Sequence, residues 1–293
     1  MLHATHCRSA ARLLGSVTVL ALGLAPLAAS RSDAPLPKPE DVLHNVLVRV
    51  NNPAFRAASA QYRSVQHTSI EKLDEKGRVR EREDRVYDVG PLGGGVYARL
   101  VQRNGRTLNP AELREEHERE QRFLEGGSRK FGGGDADRVP LDAELFERYK
   151  AEVTGRTVMA GRPTIILHFW PRSADLPIRR RQDYVLNKLT GQVWIDEQEW
   201  EIVKVEAHLT DRVRVMLGLV AVLDKVVLSF DQVRVAENVY LPSRLSATFD
   251  GRKLFTSIHE RVQVDWAGQR PSMEITGSPL SAPGPGGGSK PRP

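Results

Sequence analysis

The sequence predicts a mainly β protein with some helices, an α+β fold built on one long antiparallel sheet. From Tyr62 onward, apolar and polar residues alternate with a period of two, which is typical of half-buried strands. Turn signals separate these segments at short intervals, which favours successive hairpins. A sheet of this length must curl or close to hide its inner face and its edges.

Two helical segments are expected before the first strand. In residues 40–50 the apolar side chains recur at spacings of three and four and form one stripe, made of Val42 or Leu43, Val46, Leu47 and Val50. The sequence Asn51, Asn52, Pro53 ends this helix, because a proline disfavours the helical conformation of the residue before it. A second, weakly helical piece follows as far as Gln61.

A charged helical insertion, residues 109–138, interrupts the strands. Two hairpin turns precede it, at residues 74–77 and at residues 104–105. At the start of the insertion, Asn109 suits the N-cap of a helix and Glu112 suits the reciprocal cap. The helix is almost entirely charged, so we expect it to lie on the surface and to be followed by a flexible linker.

A second strand series follows a short helix that is predicted over residues 140–149. Its segments read AEVTGRTVM, TIILHFW, QVWID, EIVKVEAHL, VVLSFDQVRV, SRLSATFD and RKLFTSIHERVQVDW. The turns between them are marked by residues 160–161, 196–198, 237–238 and 250–251. In EIVKVEAHL the alternate residues Val203, Val205, Ala207 and Leu209 are apolar, and Lys204, Glu206 and His208 between them are polar. One face of the sheet is therefore expected to be dry and the other wet.

The chain is expected to form one exported domain. Arg8 and Arg12 precede a short apolar stretch and then small residues, which is typical of a secretory signal cleaved near Ser30. The apolar stretch is shorter than the roughly 20 residues that a membrane-spanning helix needs. We expect a periplasmic protein with a signal peptide (1–30), a Pro-rich leader (31–39), one domain (40–271) and a disordered Pro/Gly tail (272–293).

Composition and motifs argue against several classes of function. The only cysteine, Cys7, lies in the signal, which excludes disulfide and thiol chemistry in the mature chain. The net charge of +6 is spread over many residues of both signs, so nucleic acid is not expected as a partner. Histidines occur singly, and no HExxH, Gly-x-Ser-x-Gly or phosphate-cradling motif is present. We therefore expect no catalytic residues, no metal and no cofactor.

Residues 191–209, GQVWIDEQEWEIVKVEAHL, resemble a strand, turn and strand of the periplasmic outer-membrane lipoprotein-carrier superfamily. In that superfamily a glycine precedes an apolar-Trp-Ile-Asp strand, and the next strand alternates Val or Ile with Lys or Glu. The segments ARLVQRNGRTLNPAELREEHEREQ and VYLPSRL, together with the apolar run at residues 215–223, are similar to the uncharacterised lipoprotein-sorting relatives. The resemblance covers most of residues 62–266.

The resemblance implies an unclosed antiparallel β-barrel wrapped over helices, with an apolar cavity that shelters acyl chains. Together with the absence of a catalytic set, it favours a non-enzymatic periplasmic protein that binds a lipid, a lipoprotein acyl group or another apolar ligand; peripheral contact with the membrane surface is a further expectation, from the basic segment 172–181. The alternative is an envelope structural or regulatory protein that binds an unidentified protein partner through the barrel surface. The charged insertion makes this chain larger than a typical carrier.

An apolar run at residues 215–223 contains no charge and no hydrogen-bonding side chain. Burying a Leu or Val side chain is worth roughly 1.5–3 kcal/mol, so the run needs a partner. Three interpretations stay open: a strand or turn buried in the core, a hinged flap over a cavity, or an interface with another protein. Gly218 argues against an uninterrupted central strand, because glycine weakens strands and marks bends.

The candidate ligand-binding residues are apolar side chains of this run and aromatic side chains of the strands. As cavity or lid residues we single out Leu217, Leu219, Val220, Val222, Leu223, Phe169, Trp194 and Phe230. The basic segment 172–181 is either a solvated loop or a contact for phospholipid headgroups, through Arg179, Arg180 and Arg181. Asp196 is expected to cap the turn that follows its strand.

Overall fold

The computed structural model describes residues 35–126, 141–215, 221–254 and 256–272. The predicted signal, the linker of the insertion and almost all of the predicted tail lie outside these ranges. The helices are α1 (Pro39–Asn51), α2 (Pro53–Ala60), α3 (Pro110–Glu125), α4 (Ala143–Glu147) and α5 (Asp183–Leu186). None of these described helices combines the length and hydropathy that a bilayer span requires.

All described strands belong to one antiparallel sheet. The first strands are β1 (Tyr62–Leu73), β2 (Val79–Leu92), β3 (Gly95–Arg103), β4 (Arg106–Thr107), β5 (Tyr149–Met159) and β6 (Arg162–Pro171). The others are β7 (Leu189–Asp196), β8 (Ile202–Leu209), β9 (Val213–Val215), β10 (Ala221–Ala236), β11 (Val239–Lys253) and β12 (Thr256–Pro271). The spatial order is β4-β3-β2-β1-β12-β11-β10-β8-β7-β6-β5, and β9 pairs with β10. Within the described ranges β4 and β5 are outer strands, so the predicted mainly β fold with an unclosed sheet is confirmed.

The predicted amphipathic helix is α1, and its apolar stripe forms the densest part of the core. Val42 and Val46 are 0% and 1% exposed and pack with Ile165, Leu167 and Ile195 of the sheet. The helix ends at Asn51, where the Asn52 side chain accepts a hydrogen bond from the backbone N–H of Ala54 and caps α2. The α1 stripe therefore determines which face of the sheet is covered.

The predicted charged helix is α3, and its capping box of Asn109 and Glu112 is confirmed. The carboxylate of Glu112 accepts hydrogen bonds from Arg106 and from the Asn109 backbone, which lowers its pKa to about 2. Most of the helix is exposed, as expected, but Glu116 and Phe123 are buried against β3. The helix is therefore docked on the sheet.

The buried side of α3 covers the outer edge of β3, where β4 is only two residues long. The Glu116 carboxylate accepts hydrogen bonds from the Leu100 backbone N–H, at 3.2 Å, and from the Tyr97 hydroxyl, at 2.8 Å. Arg119 donates to the backbone carbonyl of Ala98. Side chains of α3 thus form hydrogen bonds with backbone groups of β3 that would otherwise pair with a neighbouring strand. Unpaired backbone groups at a sheet edge promote aggregation.

Two predicted boundaries were wrong. The helix expected over residues 140–149 is limited to Ala143–Glu147 in the described part of the chain, because Tyr149 already pairs with Pro171 as the first residue of β5. Residues 250–251 do not form a turn but pair within β11. Gly251 is required there because an added Cβ would collide with the Val222 carbonyl oxygen on the neighbouring strand. The chain reverses after Lys253 instead.

Candidate ligand-binding face

The strand register places two apolar rows on the face that α1 covers, which we call the inner face. The first row crosses the sheet through directly paired residues, Val193, Val205, Phe230, Leu245 and Val264. The second row runs beside it through Gly191, Ala207, Leu228, Ala247, Val262 and Ile70. Side chains of paired residues point to the same face, so the rows form one continuous apolar stripe.

The helices cover this stripe unevenly. The α1 core includes residues of β6, β7 and β8, with Val193 and Val205 at its margin. Farther along the rows, Leu228, Phe230, Leu245 and Val262 are only half-buried. Exposed apolar surface costs roughly 25 cal/mol per Å² relative to burial. These four side chains on β10, β11 and β12 therefore keep part of their hydrocarbon surface exposed.

The inner face becomes polar at its far end. The first row continues from Val264 to Thr68, Arg85 and Arg103 on β1, β2 and β3. The Glu83 carboxylate accepts from the Arg85 guanidinium at 2.8 and 2.7 Å and lies 3.6 Å from that of Arg103. The hydrogen bond with Glu83 raises the pKa of Arg85 above its usual value and keeps it charged. The stripe thus ends at a charged cluster.

The opposite face, which we call the outer face, carries a polar row across β8, β10, β11, β12, β1 and β2. This row runs through Glu206, Ser229, Ser246, Gln263, Ser69 and Asp84. A cleft of about 420 Å³ opens on this side over β12, β1 and β2 and is bordered by His67, Glu71, Arg82 and Arg261. Arg261 and Arg82 both pair with Glu71, at 2.9 and 3.7 Å. This chemistry does not suit a hydrocarbon ligand.

The three predicted aromatic residues do not all lie on one face. Phe230 lies in the middle of the first inner row. Phe169 is also on the inner face, but it packs against the α1 core and edge-on against Tyr149, with ring centroids 5.1 Å apart. Trp194 pairs with Ile166 and Lys204 on the outer face, and the Lys204 amine lies 4.8 Å from its ring centroid. Phe230 is therefore the aromatic residue best placed to contact a ligand.

The apolar run at residues 215–223 is framed by β9 and β10. Leu217, Leu219 and Val220 lie outside the described residues, so their assignment to a lid stays a prediction. Val222 and Leu223 belong to β10, where Val222 is 4% exposed and Leu223 pairs with both Val213 and Gly251. Consecutive strand residues point to opposite faces, so Leu223, opposite Gly251, lies at the end of the inner face and Val222, opposite Arg252, does not.

The predicted headgroup arginines lie in a loop that a buried carboxylate holds in place through hydrogen bonds. The buried Asp183 carboxylate accepts hydrogen bonds from the backbone N–H groups of Arg179 and Arg180, at 2.8 and 2.9 Å. Burial alone would raise the pKa of Asp183, but these bonds and the charge of Arg148 lower it below its usual value. Arg180 also turns towards Asp183, at 3.6 Å, whereas Arg181 is exposed.

Asp196 caps its turn, as predicted, and is also the centre of a buried polar cluster at the other end of the sheet. Its carboxylate accepts from the backbone N–H groups of Gln198 and Glu199, from the Tyr240 hydroxyl at 2.8 Å and from Arg162. Burial would raise the pKa of Asp196, but these hydrogen bonds lower it below 3.8. The cluster joins three strands and serves stability.

Several inner-face residues were not singled out from the sequence, namely Leu228, Leu245, Phe249 and Val262. The alternation in VVLSFDQVRV places Leu228 on one face with Phe230, and that in SRLSATFD places Leu245 on one face with Phe249. Which face is covered by α1 depends on pairing across bulges, for example between Leu223 and Lys225 of β10. That information is not local to any one strand.

No family model and no curated protein matches this chain. Among solved structures, it is similar to an outer membrane lipoprotein-sorting protein domain from Vibrio parahaemolyticus, with 12% identity over 80% of this chain and 94% of that one, at a TM-score of 0.38. A LolA superfamily protein from Nitrosomonas europaea shares 9% identity over 80% and 94%, at a TM-score of 0.33. A DUF1329 family protein from Desulfovibrio piger shares 10% identity over 82% of this chain and 96% of that one, at a TM-score of 0.35.

Proposed function

We propose that this chain is a non-enzymatic, exported binding protein that holds an apolar ligand against the inner face of its sheet. The ligand is a lipid, a lipoprotein acyl group or another long hydrocarbon. The observation that supports this proposal is the apolar stripe that continues past the α1 core onto β10, β11 and β12. There Leu228, Phe230, Leu245 and Val262 are half-buried, while Ala247 and Val264 between them are buried. Phe230 and Leu228 lie at its centre.

The contrast between the two faces of the same strands supports an apolar ligand. Along β10, Leu228 and Phe230 belong to the apolar rows, while Val227 and Ser229, which alternate with them, point to the outer face. The outer row is made of hydroxyl, amide and carboxylate side chains. A hydrocarbon chain is stabilised where it leaves water for an apolar surface, and along these strands only the inner face offers one. The predicted lid residues Leu217, Leu219 and Val220 would add apolar contacts to this ligand.

Displacement of a dansyl-labelled fatty acid by oleate tests the proposal. We expect saturable binding of the probe to the purified protein and complete displacement by oleate. Leu228→Asp places a charge in the apolar stripe and should raise the dissociation constant of the probe by at least about tenfold, because a buried unpaired charge is strongly unfavourable. Phe230→Ala, which adds no charge, should raise it by a smaller factor.

The matched control is Val227→Asp, a substitution of the adjacent, 41% exposed residue on the outer face. This variant should bind the probe as the wild type does, and circular dichroism should show all three variants folded. Absence of saturable binding by the wild type, or equal losses for Leu228→Asp and Val227→Asp, would contradict the proposal.

The alternative prediction is a protein partner bound through the barrel surface. Native mass spectrometry of the protein isolated from its cell envelope distinguishes it from the apolar-ligand proposal. Co-purifying lipid supports the apolar ligand. One stoichiometric protein without lipid would favour the alternative, and the cleft beside Glu71 and Arg261 would then be the first surface to examine.

A further inference from the structure

One end of the sheet carries exposed apolar and cationic side chains on neighbouring connections. Helix α5 contacts β9, β9 pairs with β10, and Ala221 of β10 pairs with Lys253 of β11. The connection before α5, strand β9 and the end of β11 therefore lie at the same end of the sheet, with β10 between β9 and β11. From their exposed side chains we define the tip patch as Ile178, Arg181, Arg214, Arg252, Lys253 and Leu254.

The two apolar members of the tip patch are held out in solvent. Ile178 is 51% exposed and Leu254 is 58% exposed. Leu254 has a φ of 53°, in the left-handed region that bulky residues rarely adopt. A glycine or an asparagine would fit that turn with less strain, and strained backbone positions cluster at functional sites. An exposed leucine there is best explained by a contact outside the chain.

The cations of the tip patch are not neutralised within the described part of the chain. Arg181, Arg214, Arg252 and Lys253 are exposed, and none forms an ion pair with another described residue. Of the nearby acidic groups, Asp224 pairs with Arg212 and Glu144 contacts Arg148, Arg179 and Arg180. The exposed carboxylates of Asp175 and Asp211 lie on the same connections but are outnumbered by the four cations of the patch. The patch therefore presents a positive potential around its two apolar side chains.

Internal hydrogen bonds hold the connection that carries Ile178. Asp183 accepts from the backbone of Arg179 and Arg180, and Asn187 donates to the carbonyl oxygens of Leu176 and Pro177. A fixed loop loses less conformational entropy on binding than a mobile one. This connection is thus pre-organised to present its side chains.

We propose that the tip patch docks the protein on the surface of an anionic lipid bilayer. Ile178 and Leu254 enter the headgroup region, where Arg and Lys stems lie along apolar surface and their charged ends reach the phosphates. The apolar members favour a bilayer, because an acidic protein would be recognised by the cations alone. The patch is defined without residues 216–220, and its docking does not depend on a ligand on the inner face.

Co-sedimentation with vesicles tests this proposal. We expect the protein to bind vesicles of phosphatidylcholine mixed with phosphatidylglycerol, to bind pure phosphatidylcholine much more weakly, and to be released as ionic strength rises. Each cation near such a surface contributes roughly fivefold to partitioning. Arg252→Glu combined with Lys253→Glu should therefore lower the partition coefficient by at least about tenfold, and Leu254→Ser should lower it on its own.

Matched controls come from exposed residues elsewhere. Arg114→Glu on α3 and Val158→Ser, a 55% exposed position near the far end of β5, should leave vesicle binding unchanged. Equal binding to both vesicle types, unchanged binding of the patch variants, or equal losses in the controls would overturn the proposal. Fatty-acid displacement without vesicles separates the two functions, because the patch variants should keep the wild-type affinity and Leu228→Asp should still bind vesicles.

Discussion

Asp196→Ala is expected to lower the free energy of unfolding by about 3–5 kcal/mol, the usual cost of removing one partner from a buried ionic cluster. The substitution leaves the buried hydroxyl of Tyr240 and two backbone N–H groups without their acceptor. It also leaves Arg162 without its main carboxylate, although Glu199 remains 3.1 Å away. Urea unfolding followed by circular dichroism measures the difference.

Two comparisons make this prediction specific. Gln198→Ala, an exposed substitution in the same turn, should change stability by no more than about 0.5 kcal/mol. The pKa of Asp196 is lower in the folded protein than its usual 3.8, so its stabilising contribution is present above that pH and is lost as the pH falls through the folded-state pKa. The difference between wild type and Asp196→Ala should therefore shrink in acid. A difference that is constant with pH would contradict the role given to the carboxylate.

Glu116→Ala is expected to lower the free energy of unfolding by about 2–3 kcal/mol, because it leaves buried donors unpaired. The Tyr97 hydroxyl and the Leu100 backbone N–H lose their acceptor, and Arg119 loses the carboxylate that lies 2.8 Å away. The same change uncovers the edge of β3. We therefore also expect faster aggregation on mild heating, measured by light scattering.

Glu118→Ala is the control for this edge, because Glu118 is an exposed glutamate on the same helix. It should be within about 0.5 kcal/mol of the wild type and should aggregate no faster. If both glutamates behaved alike, α3 would be an ordinary solvated helix and the edge would have to be protected in another way.

The strands, the helix that packs on them and the turn at Asp196 could be predicted from local patterns. The alternation in EIVKVEAHL indicates a strand with one buried face, and the spacing of Val42 and Val46 indicates a helix with one buried stripe. The position of Trp194 on the outer face could not be predicted. A one-residue change of register exchanges the faces of a strand, and the bulge between Trp194 and Ile195 is a property of the pairing.

The docking of α3 and the role of Gly251 depend on partners that are distant in the sequence. The buried Glu116 is one of many glutamates in a charged helix, and its partners Tyr97 and Leu100 lie on another element. Asp250 with Gly251 has the composition of a turn, but the glycine is needed for close approach to Val222. Local composition cannot distinguish these causes.

Methyl NMR spectra recorded during a titration with oleate test the central claim directly. The claim is that the apolar rows on β10, β11 and β12 form a ligand surface and are not filled by the protein itself. We expect saturable shifts of the Leu228, Leu245 and Val262 methyl signals and none at Val227 on the outer face of β10. Unchanged inner-face signals at saturating oleate, or equal shifts on both faces, would contradict it.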